Sequence, residues 1–199
     1  MPKRVDHDER RRRIAEALWR IATTRGLDGA SLRDVAAEAG ISLGQLQHYF
    51  RSRGDMIIFA LDHINELAGR RIRERIGALG DVPSPRAILR ESVAEMLPMD
   101  DKSRSGNLVQ IAYFMQAVHD ERLRGHAKEG VPLLRGMFAD QIRRAMDRGE
   151  VAADRDPETE AMLLICLVDG LTSFTLLDVQ TPEQAMALAE AHLDRLFTP

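Results

Sequence analysis

The residues of this sequence best suited to chemistry lie between positions 42 and 50, and the chemistry they suit is hydrogen bonding. Leu46 and Phe50 are four residues apart, so both would face the core from one side of a helix. The opposite face is uncharged, rich in hydrogen-bonding groups and small at its centre: Leu43, Gly44, Gln45, Gln47, His48 and Tyr49. A helix with such a face fits the major groove of DNA, where base edges present donors and acceptors.

A second helix is predicted immediately before this one, separated from it by a tight turn. Ser31 with Asp34, and Ser42 with Gln45, each place a capping hydroxyl three residues before an acceptor side chain, the pattern that begins a helix. Gly40 lies where the first of the two helices must end in a left-handed conformation. The arrangement is that of a helix-turn-helix, although helix, glycine, helix also occurs in ordinary bundles.

Basic residues flank this predicted pair of helices on both sides. A first helix is expected from about residue 7 to 25, and the charge of its Arg10–Arg13 run opposes the helix dipole unless solvent or a phosphate compensates for it. After the pair, Ser52 and Asp55 match another helix start and put Arg53 at a helix N-terminus, where it can bind a phosphate. The helix that follows is predicted to be long, about 25 residues or roughly 38 Å.

The composition is that of a globular protein whose two ends differ in charge. The 199 residues are 44% hydrophobic and 30% charged, and one cysteine excludes an internal disulfide and a Cys-rich zinc site. Residues 1–60 hold 11 Lys and Arg against 8 Asp and Glu, whereas the remainder holds 17 against 23. A basic end on an acidic body fits contact with phosphates at one end. We find no secretion signal or membrane-spanning run in the sequence, so we expect a cytoplasmic protein without membrane contact.

No catalytic, cofactor or metal site is predicted. The sequence lacks a Gly-rich phosphate loop and a His-x-x-x-His pair. Residues 40–44 have the spacing Gly-x-Ser-x-Gly, but they lie in the predicted helix-turn-helix and not between a strand and a helix, as a nucleophile elbow requires. Cys166 lies in an apolar run and has the character of a small core residue more than that of a nucleophile. We therefore expect that the protein is not an enzyme.

Residues from about 10 to 60 resemble the DNA-binding domain of the TetR family of bacterial transcriptional regulators. The matching residues are Ile14, Ala17, Gly26 and the series Ser31-Leu32-x-x-Val35-Ala36-x-x-Ala39-Gly40-Ile41-Ser42-x-Gly44-x-Leu46-x-x-Tyr49-Phe50-x-x-Arg53-x-x-Met56. The ending His48-Tyr49-Phe50 is more similar to the choline-responsive BetI branch. The sequence departs from the family at Gln47, where Tyr is usual, at Tyr49, where His is usual, and at Arg53, where Lys is usual. A glutamine at position 47 suits a base edge rather than the usual aromatic contact to the DNA backbone.

The resemblance implies an all-α fold of about nine helices, with an N-terminal three-helix helix-turn-helix domain and a C-terminal helical domain for ligand binding and dimerisation. We expect residues 1–53 to form the DNA-binding domain, 54–80 a long connecting helix, and 81–199 the effector-binding and dimerisation domain. The residues expected to contact DNA are Arg10, Arg11, Ser31, Ser42, Leu43, Gly44, Gln45, Gln47, His48, Tyr49 and Arg53.

The remainder of the chain is predicted to be helical, with two interruptions. A polar loop is expected at 102–107 and an irregular or bent segment at 121–130, on either side of a helix at 108–119. The last two helices, one apolar almost all round and one amphipathic, suggest a four-helix interface with a second copy. The candidate interface residues are Leu163, Leu167, Leu171, Met186, Ala189, Leu193 and Leu196.

A small-molecule cavity among the C-terminal helices is implied by the resemblance. Its candidate lining residues are adaptable or aromatic, with one odd charge: Met96, Met99, Tyr113, Phe114, Met115, His119, Met137, Phe138, Met162, Cys166, Asp169 and Phe174. A methionine-rich lining suits a flexible apolar molecule. Aromatic residues are only 5% of the sequence, which weakens a choline-type aromatic cage. Asp169 lies in an apolar helix, either as a partnered interface residue or as a counter-charge for a cationic effector.

These expectations together predict a homodimeric repressor that binds a palindromic operator in double-stranded DNA. A short recognition helix reads few bases, so two-fold symmetry is expected from the DNA side as well. Binding of an effector would favour a conformation that releases the operator. Two alternatives stay open: a helical sensor or interaction protein of the same fold without specific operator binding, and a DNA-binding activator.

Overall fold

The computed structural model describes residues 2–26, 31–80 and 82–198, and the secondary structure within these ranges is helical. The helices are α1 (Pro2–Arg25), α2 (Leu32–Glu38), α3 (Leu43–Tyr49), α4 (Arg53–Gly77), α5 (Pro85–Met96), α6 (Asp101–Ala117), α7 (Glu121–Asp147), α8 (Pro157–Leu176) and α9 (Pro182–Leu196). The predicted all-α fold of about nine helices is confirmed for the part of the chain described.

The chain divides into two compact units. The first, called here the DNA-side unit, comprises residues 1–67 and 108–127, and the second, the C-terminal unit, comprises residues 68–107 and 128–199. Three helices, α4, α6 and α7, begin in one unit and end in the other. The two units are therefore joined by continuous helical chain rather than by loops.

The core of the DNA-side unit collects the apolar faces of α1 to α4 and of the segment 108–127. Its most deeply buried side chains are Ile14, Leu18, Ile21, Leu46, Met56, Ile57 and Leu123. Complete burial of a Leu or Ile side chain stabilises a fold by about 1.5–3 kcal/mol relative to exposure. These contacts fix the short helices α2 and α3, which have seven residues each and are too short to be stable alone.

The C-terminal unit packs α8 against α5 and α9. Leu89, Leu97, Ile142, Leu164 and Leu193 have no measurable exposure in its core. Helix α8 is long and apolar enough, at a mean hydropathy of 1.5, to cross a membrane by length and composition alone, but 44% of that window is buried inside the protein. One face of the helix is buried in the core of the C-terminal unit, and the other carries exposed apolar side chains.

Two predicted interruptions are wrong, because α6 and α7 are continuous where a loop and an irregular segment were expected. The expected loop at 102–107 is the first part of α6. Asp100 and Ser103 exchange hydrogen bonds there: the Ser103 N–H donates to the Asp100 carboxylate at 2.7 Å, and the Asp100 N–H donates to the Ser103 hydroxyl at 3.0 Å. This reciprocal capping starts the helix seven residues earlier than its apolar pattern indicates.

Helix α7 passes without a break through the segment 121–130 and through Pro132. Glycine costs a helix about 1 kcal/mol and proline about 3 kcal/mol relative to alanine. The helix nevertheless forms because Leu123 is buried near its start and Ile142 near its end, so tertiary packing outweighs local preference. Pro132 is exposed, and solvent can hydrogen-bond to the carbonyl group that its missing N–H leaves unpaired.

The first helix also begins earlier than predicted, at Pro2 rather than near residue 7. Proline suits the first position of a helix, where its missing N–H has no intrahelical partner to lose. The turn predicted at residues 26–29 lies outside the described residues except for Gly26, which has a φ of +76°.

Candidate DNA-binding site

Helix α2 and the turn after it are fixed by contacts within the segment 31–41. The Ser31 N–H donates to the Asp34 carboxylate at 2.8 Å, and the Asp34 N–H donates to the Ser31 hydroxyl at 3.2 Å. Gly40 has a φ of +68°, the left-handed conformation that the sequence predicts. The Ile41 N–H donates to the Ala36 carbonyl at 2.9 Å, which completes a Schellman motif together with the Gly40 N–H.

Helix α3 begins with the second predicted capping box. The Ser42 N–H donates to Gln45 Oε1 at 3.0 Å, and the Gln45 N–H donates to the Ser42 hydroxyl at 3.2 Å. Leu46 is fully buried and Phe50, which caps the helix end, is 2% exposed. The turn before α3 and the buried side chains of Leu46 and Phe50 together fix which face of α3 points to solvent.

That other face is open to solvent and matches the predicted set. Gly44, Gln45, Gln47 and His48 are exposed, while Leu43 and Tyr49 are partly buried at its margins; Ser31 and Ser42 are exposed at the starts of their helices. The His48 and Tyr49 rings lie edge to face, with centroids 5.7 Å apart. The surface offers amide, imidazole and phenol groups around a glycine, and no formal carboxylate charge, which is what base edges and phosphates require.

Arg53 is the first residue of α4, as predicted, and it follows a third reciprocal cap. The Ser52 N–H donates to the Asp55 carboxylate at 3.0 Å, and the Asp55 N–H donates to the Ser52 hydroxyl at 3.1 Å. Arg122, from the first turn of α7, forms an ion pair with Asp55 and donates to the Ser52 hydroxyl at 3.5 Å. Arg122 thus offsets the charge of the one carboxylate in the first turn of α4, next to the position proposed for a phosphate.

Arg122 and its surroundings are the part of this site that sequence reasoning missed. Leu123, beside it, is 2% exposed, and its carbonyl accepts a hydrogen bond from the Tyr113 hydroxyl at 2.6 Å. Burial raises the pKa of Tyr113. His126 Nε2 lies 3.2 Å from the Asp62 carboxylate on α4. These partners are far apart in the sequence, so no local pattern marks them.

The two candidate arginines of α1, Arg10 and Arg11, are both partly buried. The Arg11 side chain packs against two aromatic rings. Its guanidinium carbon lies 4.5 Å from the centre of the Phe59 ring and 5.9 Å from that of Phe50. The Arg11 Nε is buried and has no hydrogen-bond partner among the described residues. The aromatic contact is one that the sequence did not indicate.

The predicted cavity-lining residues lie on several separate surfaces. Tyr113 is buried in the DNA-side unit, where Phe114, Met115 and His119 are exposed. In the C-terminal unit Phe138 is buried in the core, and Met96 and Met99 pack against it. The remaining candidates of that unit are exposed: Met137, Met162, Cys166, Asp169 and Phe174. The expectation that Cys166 is a small core residue is therefore wrong.

Two depressions among the described residues lie near the α8–α9 turn instead. One of about 280 Å³ is lined by Arg104, Thr175, Asp178, Val179, Gln180, Thr181, Pro182 and Gln184. A second, of about 500 Å³, is lined by Gln180, Gln184, Ala187 and Leu188. None of these residues is among the predicted lining, and no sequence pattern singles them out.

The predicted interface residues divide between the core and the surface. Leu171, Met186, Ala189, Leu193 and Leu196 are buried within the chain's own C-terminal unit, so their contacts are already made inside one copy. Leu167 is partly buried, and Leu163 is 52% exposed. The apolar surface that α8 leaves open is therefore the side that carries Leu163, Cys166, Gly170, Phe174 and Leu177, at spacings of three and four residues.

Comparison with known proteins identifies the class that this fold and site define. The chain matches the family "Bacterial regulatory proteins, tetR family" over residues 14–58 and the family "BetI-type transcriptional repressor, C-terminal" over residues 85–198. The protein belongs to the TetR family of helix-turn-helix transcriptional regulators, a family of regulators rather than enzymes. Within this family, the chain has a BetI-type C-terminal domain. The predicted resemblance to the TetR family and the predicted similarity to its BetI branch are both confirmed.

Individual relatives agree with this assignment. The HTH-type transcriptional regulator PksA of Bacillus subtilis is 34% identical over 180 residues, covering 89% of this chain and 84% of that protein. The regulator BetI of Pseudomonas aeruginosa is 29% identical over 199 residues, covering 98% and 96%. A TetR-family regulator from Rhodococcus sp. has a TM-score of 0.85 at 28% identity, covering 96% and 100%. A regulator from Saccharomonospora viridis, solved in complex with choline, has a TM-score of 0.81 at 24% identity, covering 94% and 96%.

Proposed function

We propose that this protein is a homodimeric repressor that binds a palindromic operator and leaves it when a small-molecule effector binds. The observation that carries the proposal is the orientation of α3. Its start is fixed by the Ser42–Gln45 box and its end by buried Leu46 and Phe50, so an uncharged hydrogen-bonding face is held toward solvent. In a helix-turn-helix, the second helix enters the major groove and reads base edges with its first residues.

The side chains in this face divide by chemistry into base readers and backbone contacts. Gln45 and Gln47 carry amide groups that can pair with adenine, and His48 carries an imidazole group. In Gln45 the amide oxygen is held by the Ser42 N–H, which directs the amide nitrogen to act as the donor. Arg53 at the start of α4, with Ser31 and Tyr49, would contact phosphates and set the register of the helix on the duplex.

The second copy would be bound by the open side of α8. This side carries Leu163 at 52%, Phe174 at 52% and Leu177 at 71% exposure, in one stripe opposite the buried face of the helix. Large exposed apolar side chains in a continuous stripe are typical of a protein interface. Two antiparallel α8–α9 pairs would form a four-helix interface, which provides the two-fold symmetry that an inverted repeat requires.

The coupling between effector and DNA would run through α4. In the DNA-side unit its first turn is held by Arg122 through Asp55 and Ser52. In the C-terminal unit the Arg71 Nε on the same helix donates to Glu95, which is 6% exposed on α5, at 2.6 Å. An effector that moves either anchor changes the position of the recognition helices, and half-sites about 34 Å apart tolerate only a small change in spacing.

The effector is proposed to be a flexible apolar molecule rather than choline. Although the Saccharomonospora relative binds choline, the C-terminal unit of this chain contains only three aromatic residues, Phe138, Phe174 and Phe197. Phe138 is 3% exposed in the core and Phe174 is 52% exposed on α8. An aromatic cage for a quaternary ammonium group needs several ring faces around one cation. A regulator of this type acts in the cytoplasm, where the DNA is.

Selection from randomised duplexes at near-physiological salt tests the DNA part of the proposal. We expect enrichment of an inverted repeat whose half-sites lie about one helical turn apart. A Gln45→Ala/Gln47→Ala variant should enrich a different or weaker half-site, and Ser42→Ala, which disturbs the same capping box but keeps both amide groups, is the matched control. Weak binding without sequence preference that disappears as the salt concentration rises would instead favour a sensor without an operator.

Release by an effector is tested on the selected operator. Choline and aliphatic molecules of increasing chain length are titrated into the complex, and the fraction of DNA bound is measured. We expect no release by choline and release that improves with chain length. Release by choline at low concentration would contradict the effector part of the proposal while leaving operator binding intact.

A further inference from the structure

In the arginine run of α1, the environment of Arg11 differs from that of Arg12 and Arg13. The side chains of Arg12 and Arg13 are 57% and 66% exposed and lie near the carboxylates of Glu16 and Glu9, one turn away. The Arg11 side chain instead turns inward, over the rings of Phe59 and Phe50. The structure thus separates Arg11 from the exposed basic face of α1.

The two rings under Arg11 belong to the elements that hold the recognition helix. Phe50 caps the end of α3 and is 2% exposed, and Phe59 lies in the second turn of α4. The two ring centres are 5.4 Å apart, within the range of favourable aromatic pairs. A guanidinium group within about 6 Å of a ring centre is attracted to the ring face. Arg11 therefore connects α1, the end of α3 and α4.

The unpaired Nε of Arg11 supports a contact by the face of the guanidinium group. This nitrogen is buried and has no hydrogen-bond partner among the described residues. An arginine that grips a phosphate normally presents its N–H groups in the plane of the guanidinium group to oxygen atoms. Because the Arg11 Nε–H is buried beside the aromatic rings, fewer N–H donors are available to a phosphate. The contact that remains is between the flat face of the guanidinium group and the rings.

We propose that Arg11 is a positioning residue that holds the end of recognition helix α3 against α1 and α4, rather than a ligand of a DNA phosphate. This inference rests on the proposed DNA-binding function. It goes beyond that function because it gives the Arg11 guanidinium group the role of orienting α3. A cation stacked on Phe59 and Phe50 restrains Phe50, and Phe50 sets where the exposed face of α3 ends.

A substitution series on the full-length protein tests the proposal, with Arg13 as the matched control. Arg11→Met keeps the aliphatic length but removes the charge and the planar group, Arg11→Lys restores a cation, and Arg13→Met makes the same change on the exposed face. The first readout needs no DNA: amide NMR spectra of residues 43–50 should shift in Arg11→Met, shift less in Arg11→Lys, and stay unchanged in Arg13→Met. Unchanged α3 resonances in Arg11→Met would overturn the proposal.

The second readout is the dependence of operator binding on salt concentration. A lost phosphate contact lowers the slope of log K against log salt by about 1, whereas a lost positioning contact lowers affinity without changing the slope. We expect Arg11→Met to weaken binding by roughly two- to thirty-fold, the range of a guanidinium–aromatic contact, at an unchanged slope. A slope reduced by one unit would show that Arg11 binds phosphate. If the wild-type protein selects no operator, the proposed function fails, and the NMR result still decides the role of Arg11.

Discussion

Helices α3 and α8 each bury one face in their own unit and leave the other face open, but the two open faces have opposite chemistry. The open face of α3 consists of amide, imidazole and phenol groups around Gly44. The open face of α8 is a stripe of Leu163, Phe174 and Leu177 with Asp169 near its edge. A polar face can remain in water without a partner, whereas a stripe of large apolar groups is stabilised by one. This difference supports the proposal of a DNA partner that is bound and released at α3 and a second copy that stays bound at α8.

The largest effect is expected from a charge placed in the apolar stripe of α8. Leu163→Glu would bring two carboxylates into an interface of two copies, where unpaired charges are strongly unfavourable. We expect a folded monomer, because Leu163 is half exposed within one copy, and a loss of operator affinity of roughly a hundredfold or more, since two linked half-site contacts become one. Light scattering gives the mass, and a DNA titration gives the affinity.

Leu133→Glu is the control for this substitution. Leu133 is 72% exposed on α7, so the same change is made on an exposed leucine away from α8. This variant should keep the wild-type mass and affinity. A dimeric Leu163→Glu protein would show that the second copy binds elsewhere and would remove the contrast between α3 and α8.

The two open faces also differ in how far they could be predicted from sequence. Each boundary of α2 and α3 has a signal within four residues, such as the Ser31 and Ser42 boxes and Gly40, and the structure contains all of them. Those short-range signals establish which face of α3 is exposed, so the candidate site could be proposed before the fold was known. The roles of its individual side chains stay predictions.

The prediction failed where long-range packing decides the structure. Helix α7 forms across Gly125, Gly130 and Pro132 because residues on either side of them are buried against helices distant in sequence. The contacts of Arg122 with Asp55 and of Arg11 with Phe59 have the same origin. On α8 an apolar pattern alone could not distinguish side chains buried in one copy, such as Leu171, from exposed ones, such as Leu163.

The next largest effect is expected at the phosphate contact beside α3. Arg53→Ala should weaken binding to all DNA sequences by about tenfold, the value of a charge-assisted hydrogen bond, and lower the salt slope by about 1. Arg53→Lys keeps the charge and should retain most of the slope. Binding isotherms at several salt concentrations measure both quantities. An unchanged slope in Arg53→Ala would remove Arg53 from the phosphate role.

A smaller effect, on sequence preference, is expected from Gln45. Gln45→Ala should relax the preference at one base pair of each half-site by about fivefold, corresponding to roughly 1 kcal/mol of lost discrimination. Because Gln45 also accepts the Ser42 N–H bond, loss of the cap must be separated from loss of the base contact. Ser42→Ala removes the capping hydroxyl, keeps the amide, and should lower affinity uniformly. Repeated selection with each variant measures the preference, and a uniform loss in Gln45→Ala would exclude direct readout.

The smallest effect is expected at Asp169, the polar exception near the apolar stripe of α8. Although the Asp169 side chain is exposed in one copy, the protein atoms around its carboxyl group partly desolvate it and raise its pKa. The folded state therefore holds a proton more tightly than the unfolded state does. Stability from this group is therefore present below the unfolded pKa and is lost as the pH rises through the folded pKa. Asp169→Asn should raise Tm at pH 7 by a few degrees, and the difference from wild type should vanish below a pH of about 4, where both forms are neutral. Thermal unfolding across this pH range measures it, with Asp154→Asn in an exposed turn as the control. A difference that stays constant at all pH values would show that folding does not desolvate the Asp169 carboxylate.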